Sequence, residues 1–211
     1  LDGKTRALQR RSELFTGDEI KTGSGSSAKL RFSDSSVIDL KPNSDFIIKR
    51  YLYSQAQGVS AGGGNAFTGK ILTGSLSTVT GGIARVNRSG YRMEAGMRNQ
   101  KPVAVIAVRG TNYILIYKPR AGVVNVKLLR GSISLNNVRL NVGDTVSFNT
   151  TANRMTITNA SGQVQTVVPA GDFIKASSET SQTILEDEAT QEIEAVEKNT
   201  NQVHSRGITK N

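Results

Sequence analysis

The sequence predicts an all-β protein in which short twisted strands form a β-sandwich or a short β-solenoid-like domain. The main observation is a series of short apolar or alternating segments separated by turns rich in Gly, Asn, Asp or Pro. In addition, no amphipathic helical pattern of about ten or more residues occurs before about residue 176. The chain has 211 residues and no Cys, so it is long enough to bury a core without disulfides.

The strands of the first half are predicted from two kinds of pattern. Alternation of apolar and polar residues predicts half-buried strands at 28–32 and 38–40. Residues 46–51 predict a strand with apolar side chains on both faces. The continuous apolar runs 103–108 (VAVIAV) and 113–117 (YILIY) predict strands that are covered on both sides.

Shorter segments continue the β pattern in the second half of the chain. Each is bounded by turn residues, as in a sandwich or solenoid. They are residues 123–129, 132–135, 138–142, 145–148, 155–158 and 164–168. The Gly-rich segment 57–65 (QGVSAGGGN) predicts a mobile surface loop.

Two short patterns recur along the chain. The segment 72–77 (LTGSLS) is echoed by 129–134 (LRGSIS), and Gly-Asp pairs occur at 17–18, 143–144 and 171–172. We interpret them mainly as reused turns, in which Gly takes a positive φ and Asp binds the backbone. A degenerate duplication of a β unit remains the alternative.

The chain is basic, but its charge is unevenly distributed. Its 27 Lys and Arg and 17 Asp and Glu give a formal net charge of +10. Residues 171–211 instead hold eight acidic and four basic residues. A basic body with an acidic tail predicts an anionic partner, or a tail that contacts a basic body. A helical stripe is predicted in this tail from Ile184, Ala189, Ile193 and Val196.

Several catalytic chemistries are excluded by composition. His204 is the only histidine, so no histidine triad or His-cluster metal site can form within the chain. Without Cys there is no thiolate metal site or cysteine nucleophile. No apolar run approaches the roughly 18 residues of a membrane helix, so no transmembrane segment is predicted.

Two weaker catalytic candidates are also rejected. The segment 64–71 (GNAFTGKI) is similar to a phosphate-binding loop, but Ile71 stands where a Mg²⁺-binding hydroxyl is needed, and a strand pattern follows. The carboxylate pairs Asp34–Asp39 and Asp18–Asp45 are mostly flanked by turn residues. We therefore predict neither catalytic nor metal-binding nor cofactor-binding residues, and no hydrolase or nucleotidase activity.

The densest basic segment is the candidate contact for an anionic partner. Arg suits carboxylate and phosphate groups because its guanidinium binds them in a bidentate way. Nucleic acid is disfavoured, because Tyr91 is the only aromatic residue within the segment and no recognition helix is visible. The candidate contact residues are Arg85, Arg88, Arg92, Arg98 and Lys101.

Three blocks in order resemble the FecR domain family. They are residues 17–51 (GDEIKTGSGSSAKLRFSDSSVIDLKPNSDFIIKRY), 70–81 (KILTGSLSTVTG) and 102–113 (PVAVIAVRGTNY), and the resemblance covers roughly residues 8–135. It implies structural roles for the residues that match the family pattern. These are Gly17, Asp18, Thr22, Gly23, Leu30, Phe32, Asp34, Leu40, Pro42, Asn43, Ser44, Tyr51, Gly74, Arg109, Gly110, Thr111 and Tyr113.

The sequence departs from the family pattern at two places. Ser35 stands where the family prefers Gly in an Asp-Gly-Ser turn, which predicts a turn geometry that depends less on Gly. Residues 92–101 (RMEAGMRNQK) are longer than the family's usual link, and we expect this insertion to form a local projection.

The resemblance implies an all-β, non-enzymatic, periplasmic domain of a Gram-negative bacterium, exported with a signal peptide that is then removed. The best-known members of the family regulate sigma factors through a periplasmic domain that contacts an outer-membrane transporter. We divide the chain into a FecR-type β domain (1–117), a continuing β region (118–170) and an acidic tail (171–211) that is partly helical or disordered.

Three functions remain open from the sequence. The leading hypothesis is a periplasmic protein-interaction or scaffold protein in a cell-envelope assembly, with other envelope proteins or copies of itself as partners. The second is a binding module for anionic glycans such as peptidoglycan. The third is the periplasmic sensor half of a FecR-type sigma-factor regulator.

Overall fold

Twelve strands and one short helix, connected mostly by tight turns, make up the part of the chain that the structure describes. The structure, a computed structural model, describes residues 5–54, 64–87 and 89–169. Arg88, most of the predicted loop 57–65, the third Gly-Asp pair and the predicted acidic tail lie outside these ranges. The elements are β1 (Glu19–Lys21), β2 (Ala28–Arg31), β3 (Val37–Leu40), β4 (Asp45–Leu52), β5 (Ala66–Val79), α1 (Gly82–Val86), β6 (Tyr91–Ala95), β7 (Ala104–Lys118), β8 (Val123–Leu135), β9 (Val138–Leu140), β10 (Thr145–Asn149), β11 (Arg154–Thr158) and β12 (Val164–Val167).

All of these strands belong to one mixed sheet. The main path through it runs β1-β4-β5-β6-β7-β8-β10-β11-β12, while β3 joins β2 to β5 and β9 pairs with β8. β5 and β6 run parallel and are connected through α1. The other strand pairs in the described ranges are antiparallel. The predicted all-β class is confirmed.

Three long strands change partners part-way along their length. β5 pairs with β4 and β6 up to Thr73, and with β3 and β7 from Gly74 onwards. β7 and β8 shift register beside Gly110 and Gly131. All three glycines have positive φ, at 90°, 63° and 92°, which other residues rarely adopt. Each bend therefore coincides with a glycine.

The bends divide the sheet into two layers that share one core. The first layer consists of β1, β4, β6 and β9 with the first parts of β5 and β7 and the last part of β8. The second layer consists of β2, β3 and β10–β12 with the remaining parts of the long strands. Phe46 and Met93 from the first layer join Tyr113 and Val126 from the second in a single buried hydrophobic cluster.

The segment 103–108 is buried on one face only. Ala104, Ile106 and Val108 are buried in the core cluster, whereas Val105 is half-buried and Ala107 is exposed. The prediction that this run is covered on both sides is therefore wrong. Val105 and Ala107 lie on the other face of β7, on the outer side of the first layer, and the core cluster does not cover them. The second run, 113–117, is buried on both faces as predicted.

Other predicted strands merge or are missed. The segments 123–129 and 132–135, predicted as separate strands, form the single strand β8, because Gly131 bends the chain without ending its pairing. β6 was not predicted, since Arg92 and Glu94 interrupt its apolar pattern. Its residues are nevertheless held between β5 and β7.

The helix α1 is short, and one of its faces is buried. Ile83 and Ala84 are buried, while Arg85 and Val86 face solvent, with Val86 62% exposed. The helix packs against β7. No helix in the described ranges has the length and apolar character needed to cross a membrane.

Candidate functional site

The Thr-Gly (22–23) and Pro-Asn-Ser (42–44) motifs stabilise the bend of β5 at Gly74. Thr22 Oγ1 donates to Lys41 O at 2.6 Å and accepts from Ser44 N at 2.9 Å. Ser44 Oγ donates to Ser75 O at 2.9 Å and accepts from Ser75 N at 3.0 Å. A Cβ on Gly74 would lie 2.4 Å from Ser44 Oγ, so the contact requires glycine. These motif residues hold the β3–β4 turn against β5.

The turn before Ser44 uses the rest of this motif. Asn43 adopts a φ of 56°, a left-handed conformation that Asn tolerates better than most residues. Its backbone N–H donates to Gly23 O at 3.2 Å. Pro42 precedes it, with its φ fixed by its ring. The turn therefore joins the segment before β2 to the segment before β4.

Asp34 organises the second group of motif residues. The side chain is buried, and its Oδ1 accepts from Ser36 N at 3.0 Å. Its Oδ2 accepts from Ser36 Oγ at 2.8 Å and from Ile83 N at 3.2 Å. Asp34 N donates to the Tyr51 hydroxyl at 2.9 Å, and Gly81 N donates to Ser36 Oγ at 2.8 Å. This carboxylate thus joins the β2–β3 turn to the start of α1.

Ser35 adopts the backbone conformation of a glycine. Its φ is 69°, so the prediction of a geometry that depends less on Gly is wrong. The turn is fixed by Ser35 N, which donates to Phe32 O at 3.0 Å, and by Phe32 N, which donates to Ser36 O at 3.0 Å. Together with the Asp34 carboxylate, these bonds override the conformational preference of serine.

Replacing Ser35 by Gly is expected to stabilise the fold. Relief of the left-handed strain, worth roughly 1–2 kcal/mol, outweighs the roughly 0.5–1 kcal/mol entropy penalty of an added glycine. The expected gain is about 0.5–1 kcal/mol in urea unfolding. Ser26→Gly is the control, since Ser26 is exposed with an ordinary φ and should lose stability. Equal losses in both variants would contradict the strain at Ser35.

The two described Gly-Asp turns share one geometry. Gly17 and Gly143 have φ values of 95° and 91°. In each turn the Asp Oδ2 accepts from the backbone N–H three residues earlier, at 2.9 Å for Asp18 and 2.7 Å for Asp144. This geometry agrees with the interpretation of the Gly-Asp pairs as a reused turn.

The Arg-Gly-Thr motif lies where the bends of β7 and β8 meet. Thr111 N donates to Thr80 Oγ1 at 2.7 Å, and Thr80 N donates to Thr111 O at 2.9 Å. A Cβ on Gly131 would lie 2.2 Å from Gly110 O. Arg109 is exposed beside this contact. The motif thus fixes the bend while it leaves the arginine accessible.

The remaining motif residues are hydrophobic or aromatic. Leu30, Leu40 and Tyr113 are buried in the core cluster, and burial raises the pKa of Tyr113 well above its usual value. The rings of Phe32 and Tyr51 pack with their centroids 5.2 Å apart. The structure therefore places these residues in the framework of the domain.

Two of the predicted contact arginines are exposed but form ion pairs within the chain. Arg92 Nε lies 3.1 Å from Glu94 Oε1, and Lys49 Nζ lies 2.8 Å from Glu94 Oε2. Arg98 pairs with Glu19 on the edge strand β1. The other described members, Arg85 and Lys101, are exposed and pair with no carboxylate in the described ranges. Partner contact by these residues stays a prediction.

The insertion after β6 lies back across the first layer. We call residues 96–103 the strap. Lys70, on the outer side of β5, is 1% exposed and its Nζ donates to Met97 O, to Gln100 O at 2.9 Å and to Arg98 O at 3.4 Å. Burial and the nearby Lys49 lower the pKa of Lys70. The expectation of a local projection is wrong, because Lys70 and the Arg98–Glu19 pair hold the strap down.

Replacing Lys70 by Met is expected to release the strap. The change leaves the strap carbonyls without their donor, which costs about 2 kcal/mol. Urea unfolding and the rate of proteinase K cleavage within residues 97–101 measure the two effects. Lys29→Met, at an exposed position, is the control and should change neither value. Unchanged cleavage in the Lys70 variant would show that the strap is held by other contacts.

The segment 64–71, which is similar to a phosphate-binding loop, lies mostly within β5. Gly69 and Lys70 lie inside β5, and the strand continues to Val79, so the segment that is similar to a phosphate-binding loop is not a loop. Within the described residues, no group of three or more His, Cys, Asp or Glu side chains is placed to hold a metal ion.

Exposed basic residues lie at the bends of β7 and β8 and on α1, which packs against β7. We define the corner patch as Arg85, Val86, Arg109 and Arg130, all of which are exposed. The register places Arg109 opposite Ser132 and Arg130 opposite Asn112, and α1 packs against the same strand. Arginine beside an exposed aliphatic side chain is typical of protein-binding surfaces and suits an acidic partner.

These residues do not form one group in the sequence. Arg85 and Arg109 lie in the densest basic segment, Arg109 also matches the family motif, and Arg130 lies in a separate group of basic residues. The available signal was the repeated Arg-Gly-hydroxyl pattern at 109–111 and 130–132. Strand pairing between β7 and β8 brings the two copies together.

Comparisons with known proteins identify similar sequences and structures. A family model described as FecR protein matches residues 18–134, more than half of the chain. No curated protein matches. Two crystal structures of a proposed anti-sigma factor from Parabacteroides distasonis ATCC 8503 are similar at 15% identity, with TM-scores of 0.43 and 0.44. In each case the match covers 72% of this chain and 59% of that one, so the chain spans less than two thirds of those proteins.

Proposed function

The chain belongs to the FecR family, and on that premise we propose that it is the periplasmic sensing domain of a sigma-factor regulator. In this role it is a non-enzymatic module that binds an envelope protein and passes on its state. The observation that carries the proposal is the family match over residues 18–134. This match supports the regulator better than the general scaffold role that was the leading prediction.

The motif residues stabilise the framework of the domain, and this supports a role in recognising a partner. Thr22, Ser44 and Asp34 use their side chains in hydrogen bonds that fix turns and bends. A framework fixed in this way presents its surface side chains with little loss of entropy on binding. Specificity then resides in exposed residues.

The corner patch is the surface that we assign to the partner. Arg109 and Arg130 lie beside Gly110 and Gly131, whose contact fixes the local backbone. Two exposed arginines on a constrained backbone, with the exposed Val86, fit an acidic protein surface that carries an apolar residue. An outer-membrane transporter or another envelope protein with such a surface is the proposed partner.

The test is a pair of charge-reversal variants in the organism that encodes the chain. Arg109→Glu with Arg130→Glu alters the corner patch, whereas Arg120→Glu with Arg154→Glu makes the same charge change at exposed positions near the opposite end of the second layer. Transcription is then measured across the genome. We expect the patch variant, but not the control, to change expression of a small group of genes under one sigma factor.

Other outcomes would support the other hypotheses. A change in envelope assembly without any transcriptional response would overturn the regulator and favour a scaffold. Retention of the pure protein on purified peptidoglycan, reduced by the patch variant alone, would favour the glycan-binding module. Both variants must keep the wild-type unfolding midpoint for these comparisons.

A further inference from the structure

Each layer of the sheet ends at strands that have one neighbour in the described ranges. These edge strands are β2 and β12 in the second layer, and β1 and β9 in the first. An open edge can pair with another chain, so natural proteins protect edge strands with charged side chains, proline or bulges. The residues of the four edges therefore show which of them is suited to association.

Three of the four edges carry charged side chains. β1 holds Glu19 and Lys21, β2 holds Lys29 and Arg31, and β9 holds Arg139. β12 has the sequence Val-Gln-Thr-Val, without a charged residue, and no bulge interrupts its pairing with β11. Among the described strands, β12 is thus the edge that lacks protection.

β12 presents a row of exposed β-branched side chains. Val164 is 66% exposed, Val168, just beyond the strand, is 67% exposed, and Thr166 between them is exposed as well. These three residues alternate with Gln165 and Val167, so they lie on one face of the strand. Val167 packs against the core cluster from the other face. Because β-branched residues favour strands, the row suits pairing with a further strand.

The edge is held in place at both ends. In the β11–β12 turn, Asn159 N donates to Gln163 O at 3.0 Å, and Asn159 Oδ1 accepts from Gln163 N at 2.9 Å. Beyond the strand, Pro169 is buried, and its carbonyl accepts from Asn153 Nδ2 at 3.3 Å. A strand that is fixed in this way loses little conformational entropy when it pairs with another strand.

We propose that β12 pairs antiparallel with β12 of a second copy of this chain, with Thr166 at the two-fold axis, so that the two second layers form one continuous sheet. In such an isologous contact, Thr166 lies opposite its own copy, and Val164 of one copy lies opposite Val168 of the other. Cross-strand pairs of β-branched residues and of threonines stabilise antiparallel sheets. Both exposed valines of each copy then gain an apolar neighbour.

The absence of charge favours a second copy as the occupant. A strand that pairs with itself places each charge near the axis close to the same charge of the other copy, and like charges opposite each other are destabilising. β12 avoids this repulsion, whereas Lys29 on β2 and Arg139 on β9 would experience it. Since the whole chain has a formal net charge of +10, two copies associate best through a surface without charged residues.

Disulfide crosslinking tests the register, because the natural chain has no cysteine. Thr166→Cys places two thiols opposite each other at a Cα separation of about 4.5–5.5 Å, which a disulfide can bridge. Val164→Cys is the matched control in the same exposed row. Its two copies would lie about 14 Å apart along the strands, beyond the reach of a disulfide. In a glutathione buffer we expect at least about ten-fold more covalent dimer from Thr166→Cys.

Sedimentation equilibrium measures the same pairing without a crosslink. The natural chain should pass from the mass of one copy towards that of two as its concentration rises. Thr166→Lys places like charges at the axis and should raise the dissociation constant at least about ten-fold. Ser24→Lys adds the same charge in the exposed turn before β2, at the opposite edge of the second layer, and should leave the constant unchanged.

Three results would overturn the proposal. The first is a natural chain that keeps the mass of one copy up to about 1 mM, the weak end of the affinity scale. The second is a dimer that tolerates Thr166→Lys, since the copies then meet elsewhere. The third is equal crosslinking of the two cysteine variants, which would contradict the register. None of them bears on the sensing role, because β11 and β10 separate β12 from β8, which carries Arg130 of the corner patch.

Discussion

Replacement of Ile106 by Asp is expected to remove at least about 4 kcal/mol of unfolding free energy. Ile106 lies in β7 at 0% exposure, between β6 and β8, and its side chain belongs to the core cluster. The change removes the buried aliphatic group and places a carboxylate where no cation is available within the core cluster. Since domains of this size are stable by only about 5–15 kcal/mol, the variant should melt far below the wild type.

The neighbouring residue supplies a matched control. Ala107→Asp introduces the same carboxylate one position along the strand, but Ala107 is exposed on the outer side of the first layer. Its expected effect is below about 0.5 kcal/mol. Ile106→Ala, with an expected loss of about 2–5 kcal/mol, keeps the comparison measurable if the Asp variant does not fold. Similar losses for the two Asp variants would contradict one-sided burial of this segment.

The second large effect is expected at the bend of β8. Gly131→Ala should cost about 3 kcal/mol, from backbone strain at its φ of 92° and from overpacking. The overpacking arises because the new Cβ would lie 2.2 Å from Gly110 O and 2.9 Å from Thr111 Cα. Both contacts involve the facing backbone, so relief requires the two strands to move apart.

Gly110 is the control for this prediction. Its φ is also positive, at 63°, but a Cβ there meets no atom within 4 Å. Gly110→Ala should therefore cost only about 1 kcal/mol from the backbone alone. Chemical denaturation of the two variants measures the difference directly. Equal costs would mean that close approach of the strands contributes nothing at this bend.

The predicted roles of glycine were right about conformation and wrong about topology. The repeated segments around Gly74 and Gly131 suggested turns, and both residues do have positive φ. However, β5 and β8 continue through them and only change partners. A local pattern shows that the chain bends, but whether a strand ends there depends on neighbours that are distant in sequence.

The corner patch likewise depends partly on local sequence and partly on long-range strand pairing. Basic residues at 85, 109 and 130 can be read from the sequence, but the placing of Arg109 and Arg130 on adjacent strands follows from the β7–β8 pairing. Arg92 and Arg98 look equivalent to them in sequence, yet each forms an ion pair within the chain, with Glu94 and Glu19 respectively. An ion pair between residues 19 and 98 has no local signature.

The sequence by itself determined the all-β class, most of the strands and the FecR family, because alternation, turn residues and motif spacing are local properties of the chain. Only the tertiary structure decided which face of a strand is covered, which carbonyl groups the buried Lys70 ammonium binds, and which arginines form ion pairs within the chain. Each of these depends on long-range pairing across the two layers: Ile106 and Ala107 are both apolar neighbours in one run, but the core cluster covers only one of them.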